Sequence, residues 1–385
     1  MNIFFFVICV LIILFEVYPL FKRKFYKEKC LKFNGIRDIE AKVSNASIEM
    51  VNSSRTKMSF DDDGSLYARL SRLKKQLLFD KKHYEYRYYN FPRAWLYLGV
   101  IEQYKKSQKQ KLLSSLISKS DRLIDANGCL KFCFDKIDQS LFGVVFIELY
   151  YLTSDQRFKK AAEEIYQEVQ KFINNDGLIL YRRNLNVCFV DTLGMVLPFL
   201  YTYSDLFKEK KAKALAKKQL DFYLNNGIDR VTKYPYHAID LDNKMKLGSV
   251  NWGRGLGWFV IGLSYSIKYD KDNGNEIIPL YSNIIKNLYQ IRTKNKYWPQ
   301  FLGHTDDLSI DSSATLMFYF SQVIALDNEN NILDDLTDAL YSSISKKGFV
   351  LNASGDTFYI NKYSKVKSIS EVSQGLLLYI LSKEK

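Results

Sequence analysis

The sequence predicts an all-α domain built from about six helical hairpins. Three observations predict it. Apolar residues recur at helical spacing, as at Leu66, Leu70, Leu73 and Leu77. Long strand-like alternation is absent. A glycine-marked punctuation also returns about every 50 residues. A closed ring of paired helices and an open helical solenoid both satisfy that period.

At the N-terminus, residues 3–21 (Ile3 to Phe21) form an apolar run broken only by Glu16 and ended near Pro19. Its 19 residues are just enough to span a bilayer as one helix. No positive charge precedes the run and no small-residue cleavage site follows it, so residues 1–21 read as an uncleaved transmembrane anchor. Lys22, Arg23, Lys24, Lys27, Lys29 and Lys32 follow at once. The positive-inside tendency then makes the protein single-pass with its main domain in the cytoplasm. A secretory signal with weak flanks is the competing assignment. Residues 22–60 read as a basic juxtamembrane segment and polar tether, and residues 61–385 as the folded domain.

That domain has the means to build a core. Hydrophobic residues are 47% and charged residues 25% of the 385-residue chain, which excludes collagen-like and disordered classes. With 28 Tyr and 26 Phe, it can also line a groove with rings. Of the net charge of +14, residues 1–32 supply six basic and two acidic side chains, leaving +10 elsewhere. Such a surplus permits an anionic partner without choosing one. The basic residues are scattered and no nucleic-acid motif accompanies them, so no nucleic-acid partner is expected.

Cys9, Cys30, Cys129, Cys133 and Cys188 are few and odd in number, which suits a reducing compartment better than a disulfide framework. Cys129 and Cys133 lack a second Cys/His pair, and three His without a His-Glu-x-x-His offer little to zinc. No metal or cofactor is expected.

Within the domain, Phe158, Ala162, Ile165, Val169 and Phe172 make one apolar helix stripe, with Lys, Glu and Gln opposite. Segments end in Asn127-Gly128, Asp176-Gly177, Asn226-Gly227 and Lys347-Gly348, each followed by apolar residues. Glycine just past a helix supplies a left-handed cap. If each glycine marks the same end of a hairpin, Asp135, Asp191 and His237 all project at one mouth. Asp191 interrupts the apolar segment Val190-Asp191-Thr192-Leu193-Gly194-Met195, where an unpartnered charge would be costly. Two acids facing one cavity divide into a protonated acid and an ionised base.

The densest signal is Asn251-Trp252-Gly253-Arg254-Gly255-Leu256-Gly257-Trp258. Glycines admit a ligand close to the backbone. Trp252 and Trp258 offer flat platforms for sugar rings, and Arg254 a fork for a carboxylate. A tight helix start with packed tryptophans and a salt-bridged arginine accounts for the same residues.

Trp252 to Trp258 resembles the Trp-Ala/Gly-Arg-Gly-Asn-Gly-Trp motif of unsaturated glucuronyl and rhamnogalacturonyl hydrolases, glycoside hydrolase families 88 and 105. In order, Asp135-Lys136-Ile137-Asp138 is similar to the families' Asp-x-Ile-Asn, and Val190-Asp191-Thr192-Leu193 through Pro198-Phe199-Leu200 to their Asp-Thr…Pro-Phe-Leu. Tyr236-His237-Ala238-Ile239-Asp240 is similar to His-Ala-x-Asp. Asp311-Ser312-Ser313-Ala314 and Ser373-Gln374-Gly375 match later pieces. The likeness covers roughly residues 90–380.

The resemblance implies an (α/α)6 barrel of six helical hairpins. It also implies a glycosidase that hydrates the double bond of a 4,5-unsaturated uronic acid at the non-reducing end of lyase-generated oligosaccharides. Asp191 would be the catalytic acid, with Asp135 opposite it tuning Asp191 or holding ring hydroxyls. His237 and Arg254 would bind ring oxygens or carboxylate, with Trp252 and Trp258 as walls. Leu256 replaces the motif's usual Asn and Asp138 stands where Asn is common, departures that bear on the sugar bound. A membrane-tethered glycan-binding or polysaccharide-assembly protein on the same barrel is the alternative. Retention of two acids favours the enzyme, since a pure binder gains little from burying both.

Overall fold

A computed structural model of the protein describes residues 5–14, 35–52, 90–303, 310–326, 335–336, 339, 343–357, 360–364 and 367–383. Its helices begin with α1 (Ile36–Asn52), α2 (Phe91–Ser107), α3 (Gln110–Ser120), α4 (Leu141–Thr153), α5 (Gln156–Gln170) and α6 (Asp191–Phe207). They continue with α7 (Lys210–Asn226), α8 (Gly253–Tyr269), α9 (Lys271–Gln290), α10 (Ser312–Leu326) and α11 (Glu371–Lys383). Short strands β1 (Val187–Phe189), β2 (Ala238–Asp240), β3 (Lys246–Leu247), β4 (Ala353–Ser354) and β5 (Lys367–Ser368) lie in the loops.

Apolar patterning separates two layers. Helices α2, α4, α6, α8, α10 and α11 are buried around nearly their whole circumference, as a helix enclosed by others must be. Each packs on the next, and α11 packs on α2, so these six close a ring. Helices α1, α3, α5, α7 and α9 are amphipathic and coat the outside. In α5 the buried stripe is Phe158, Ala161, Ala162, Ile165 and Val169, as the spacing predicts. The Leu66–Leu77 stripe lies outside the described residues.

The closure point depends on close backbone approach. A Cβ on Gly99 would sit 2.3 Å from the Gly375 carbonyl oxygen, and one on Gly375 would sit 2.2 Å from that of Trp95. This accounts for glycine in the Ser373-Gln374-Gly375 segment.

The assignment of residues 22–60 to a tether fails over Ile36–Asn52, which form α1. Ile39, Val43, Ala46 and Met50 form an apolar stripe on α1, buried against α2, α3 and α11. Gln374 Nε2 donates to the Val43 carbonyl at 3.1 Å, and Arg93 Nη1 to that of Met50 at 3.0 Å. The barrel therefore includes α1.

The predicted transmembrane anchor is also not borne out: no helix among the described residues is long and apolar enough to cross a membrane. Of the run, residues 5–14 are helical and exposed. At 1.5 Å per residue they extend about 15 Å, half the hydrocarbon thickness. Residues 15–21 lie outside the described residues. The inferred orientation thus has no described spanning helix to rest on.

A recurrent turn fixes where functional residues emerge. Bridges Ile124↔Leu130, Ile173↔Ile179 and Ile344↔Val350 each enclose a glycine with positive φ: Gly128 at 81°, Gly177 at 73° and Gly348 at 84°. Polar side chains complete the turn. Asp125 accepts from the Cys129 amide, Asn174 from that of Leu178 and Ser345 from that of Phe349. After α9, Lys296 fills the glycine position with φ 62°, and in the turn after α7 Lys233 has φ 62°. Gly227 departs from the expected left-handed cap, with φ −110°; its Cβ would strike Tyr223 and Ile239 instead. Each turn returns the chain toward the N-terminus of an inner helix, and the Arg93–Glu371 ion pair sets the start of α2 beside that of α11, so the inner N-termini surround one mouth.

Candidate active site

Asp191 begins α6 at that mouth, with 15% side-chain exposure. The sheet β1–β2–β3 brings His237 beside it. Phe189 pairs with Ala238, and the Val190 amide donates to the His237 carbonyl at 3.0 Å. The Tyr223 hydroxyl braces the neighbouring Tyr236 carbonyl. His237 Nε2 then lies 3.4 Å from Asp191 Oδ2, while the imidazole is only 2% exposed. On its other side, His237 Nδ1 is 2.8 Å from the Ile360 carbonyl oxygen. A carbonyl only accepts, so Nδ1 carries the proton. Nε2 is therefore the ring nitrogen that faces Asp191 Oδ2. No hydrogen bond among the described residues reaches Oδ2.

A second acid stands across the mouth, and it is Asp138, which the sequence analysis did not select. Asp138 is fully buried in the 3-10 turn Ile137–Ser140 before α4. The Tyr181 hydroxyl donates to its Oδ2 at 3.0 Å. Burial, followed by the charges of Asp138, Asp191 and Asp356, holds that hydroxyl well above its ordinary pKa, so it remains a donor. Asp138, Asp191 and Asp356 thus all bear on the Tyr181 hydroxyl. Asp135 lies elsewhere: it is exposed and lines an adjoining groove. Asp135 precedes the 3-10 turn, in the exposed approach to it, whereas Ile137 and Asp138 lie within the turn and are enclosed. The helical-turn polarity of Asp135-Lys136-Ile137-Asp138 was the available signal for Asp138, but it does not tell which acid turns inward.

Asp356 is the third acid, 29% exposed in the segment after β4. Burial in the concave mouth pushes its carboxyl up to about 6, against Arg254 and with the help of Asp138 and Asp191. Arg254 Nη2 lies 3.5 Å from it. That guanidinium is otherwise occupied: Nη1 donates to the Ser354 carbonyl and Nη2 to that of Gly355, both at 2.9 Å. Arg254 therefore anchors the loop that carries Asp356, and it does not present an open fork to a substrate carboxylate. Asp311, at the start of α10, ties the same loop by accepting from Ser313 and Ser354.

The tryptophans divide. Trp252, 2% exposed, packs on His237 at 4.5 Å and on Tyr363 at 5.4 Å between ring centroids, bracing the imidazole from behind. Trp258, 1% exposed, packs against Trp95 and Phe91 inside the ring. One turn into α8 its ring faces neighbouring helices, so it forms core and not a mouth wall. Leu256 is likewise fully buried, which places that departure in packing. The rings that remain partly exposed at the mouth are Tyr181, Phe189 and Tyr363. Phe189 contacts both Tyr181 and His237 at 5.6 Å, and Tyr363 accepts from the Ser249 amide at 2.9 Å. Cys129, Cys133 and Cys188 are free thiols, and burial pushes that of Cys188 up to about 12.

Ring, mouth and buried acids define a helical-barrel protein with an aromatic-walled acidic site. Residues 70–361 match the model of Glycosyl Hydrolase Family 88, and the chain belongs to that family. Membership supports glycosidase activity. Among solved structures, a possible member of the GH105 family from Klebsiella pneumoniae is similar at 14% identity and a TM-score of 0.72, covering 92% of this chain and 95% of its own. An unsaturated glucuronyl hydrolase specific for heparin shares 16% identity with a TM-score of 0.68, covering 91% and 97%. A family 105 glycoside hydrolase from C. acetobutylicum shares 18% identity with a TM-score of 0.65, covering 77% and 92%. At these identities the structural likeness shows the fold.

Proposed function

We propose that the protein removes a 4,5-unsaturated uronic acid from the non-reducing end of an oligosaccharide by hydrating its vinyl ether. The observation that carries this is the Asp191–His237 pair at the mouth, with Nε2 3.4 Å from Oδ2 and Nδ1 committed to Ile360. Asp191, protonated, gives its proton to C4 of the double bond. Positive charge grows on C5 and the ring oxygen, and the negative potential of Asp138 and Asp356 would stabilise it. Water adds to C5 and yields its proton to Asp191. The hemiketal opens to a ketone at C5, and C1 expels the neighbouring sugar as an alcohol. His237 acts through Asp191 by orienting it. Tyr181 holds Asp138, while Tyr363 and Phe189 offer faces to the sugar ring. The helix N-termini around the mouth favour the substrate's carboxylate.

The test is the loss of the C4=C5 ultraviolet absorbance when the protein meets lyase-generated oligosaccharides. Asp191→Asn should lower kcat by roughly 10³-fold, within the range of a general acid. Turnover at the parent rate in that variant would remove Asp191 from the mechanism. Binding without absorbance loss on any substrate would make the protein a glycan binder.

A further inference from the structure

Beside the mouth lies a groove of about 620 Å³, within the size range of ligand clefts. Its sides include Phe132, Phe134, Asp135, Lys136, Arg182 and Arg183. The groove and the mouth share a wall. Lys136 lines the groove, yet its ammonium feels Asp138 and Asp356 on the mouth side and Arg182 on the groove side. Likewise Tyr181 turns to Asp138 while the next two residues, Arg182 and Arg183, turn to the groove. A sugar chain entering the mouth by its terminal ring has this groove beside it for the next one.

The charges of the groove are unequally committed. Glu164 accepts from the Leu130 amide at 2.9 Å, and Glu168 holds Lys171 at 2.5 Å with Arg183 at 3.9 Å. Arg183 also lies over the Phe172 ring at 4.7 Å. Arg182, by contrast, is exposed and pairs with no carboxylate among the described residues. An exposed guanidinium at the edge of a ring-lined groove suits a planar or tetrahedral oxyanion.

We propose that this groove binds the second sugar of the oligosaccharide, and that Arg182 selects a ring carrying an anionic group, sulfate or carboxylate. Lys136 adds positive charge at the junction, and Asp135 accepts ring hydroxyls. This rests on the glycosidase reading, and it moves Asp135 from catalysis to recognition of the leaving sugar.

The test uses the full chain and two substrate pairs. One pair differs only by a sulfate on the hexosamine next to the unsaturated ring, the other only by a carboxylate on that ring. The anionic member of at least one pair should have a kcat/KM roughly tenfold above its neutral partner, the difference lying in KM. The pair that responds identifies the anion. Arg182→Ala should reduce that ratio to near one, and Arg182→Lys should restore part of it. Equal kcat/KM within both pairs, or a preference that survives Arg182→Ala, overturns the assignment while leaving the glycosidase standing. Calorimetry with the Asp191→Asn protein and saturated sulfated or uronate disaccharides judges the groove independently of turnover. Tighter binding of an anionic disaccharide than of its neutral analogue, lost in Asp191→Asn/Arg182→Ala, supports the groove even if no unsaturated substrate is consumed. Equal affinities there overturn it.

Discussion

Charged side chains are paired differently at the two ends of the barrel, around the C-terminal ends of α2, α4 and α11 and around the acids of the mouth. At the C-terminal ends of α2, α4 and α11, Lys105 joins Glu102 at 2.7 Å and Glu148 at 2.6 Å, and Lys383 joins Glu102 at 2.6 Å. Although burial pushes Glu102 up, Lys105 and Lys383 hold its carboxyl below the ordinary value; although burial pulls Lys105 down, Glu148 and Glu102 hold it above. Acid and base complete one another there. At the N-terminal end Asp138, Asp191 and Asp356 crowd together, and Arg254 is spent largely on backbone carbonyls. A closed network stabilises the ring. A mouth that crowds three acids is poorer for stability and fit for chemistry.

Substitutions at the two ends should therefore separate rate from stability. The largest effect on rate after Asp191→Asn belongs to His237→Ala, which removes the group that orients Asp191. We expect kcat to fall about 10²-fold, the size of effect a small misplacement of a catalytic group produces. An unchanged kcat would leave His237 as packing alone. At the other end, Glu102→Gln should lower unfolding stability by about 2 kcal/mol, less than a fully enclosed pair would because both lysines are partly exposed. Its kcat should stay within about twofold of the parent. The sign with pH follows from a carboxyl held low in the folded state. Its contribution is present at neutral pH and is lost as pH falls through the folded pKa. Urea midpoints of parent and variant should converge on acidification; a constant gap would mean that Glu102 stabilises by packing.

Much of the architecture was legible in the sequence because hairpin repeats write their period in apolar spacing and in glycine. The glycines marked three of the turns. Lys233 and Lys296 adopt the same positive φ without a glycine, so those turns left no mark. Helix α1 was missed although Ile39, Val43, Ala46 and Met50 have the spacing that identified other helices. Its partner α11 is more than 300 positions away along the chain, and a stripe does not name what covers it. Asp191 and His237 were legible as a charge inside an apolar run and a histidine after a turn. That Asp138 is enclosed while Asp135 is exposed was not, because the two acids stand three positions apart and only the packing of the Ile137–Ser140 turn separates them. Trp258 and Arg254 show the other limit. A glycine-rich aromatic motif marks a tight helix start whether its rings and its guanidinium face ligand or protein.

The smallest effect expected is the pH response of Asp356, and it bears most directly on why the mouth is costly. With its carboxyl at about 6 against a reference of 3.8, the folded state binds the proton more tightly than the unfolded chain. Stability from this group is complete below the unfolded value and is lost as pH rises through about 6. The full shift corresponds to about 3 kcal/mol; solvent reaching the carboxyl reduces this to roughly 1–2 kcal/mol. Asp356→Asn cannot ionise, so it should gain on the parent across that window and reach its largest advantage above pH 6. Urea midpoints from pH 4 to 7 would measure it. Arg254 opposes the gain, because the neutral amide gives up the attraction at 3.5 Å. If the variant is instead less stable at pH 7, the Arg254 contact outweighs the crowding, and the mouth is held by the same closed pairing as the opposite end.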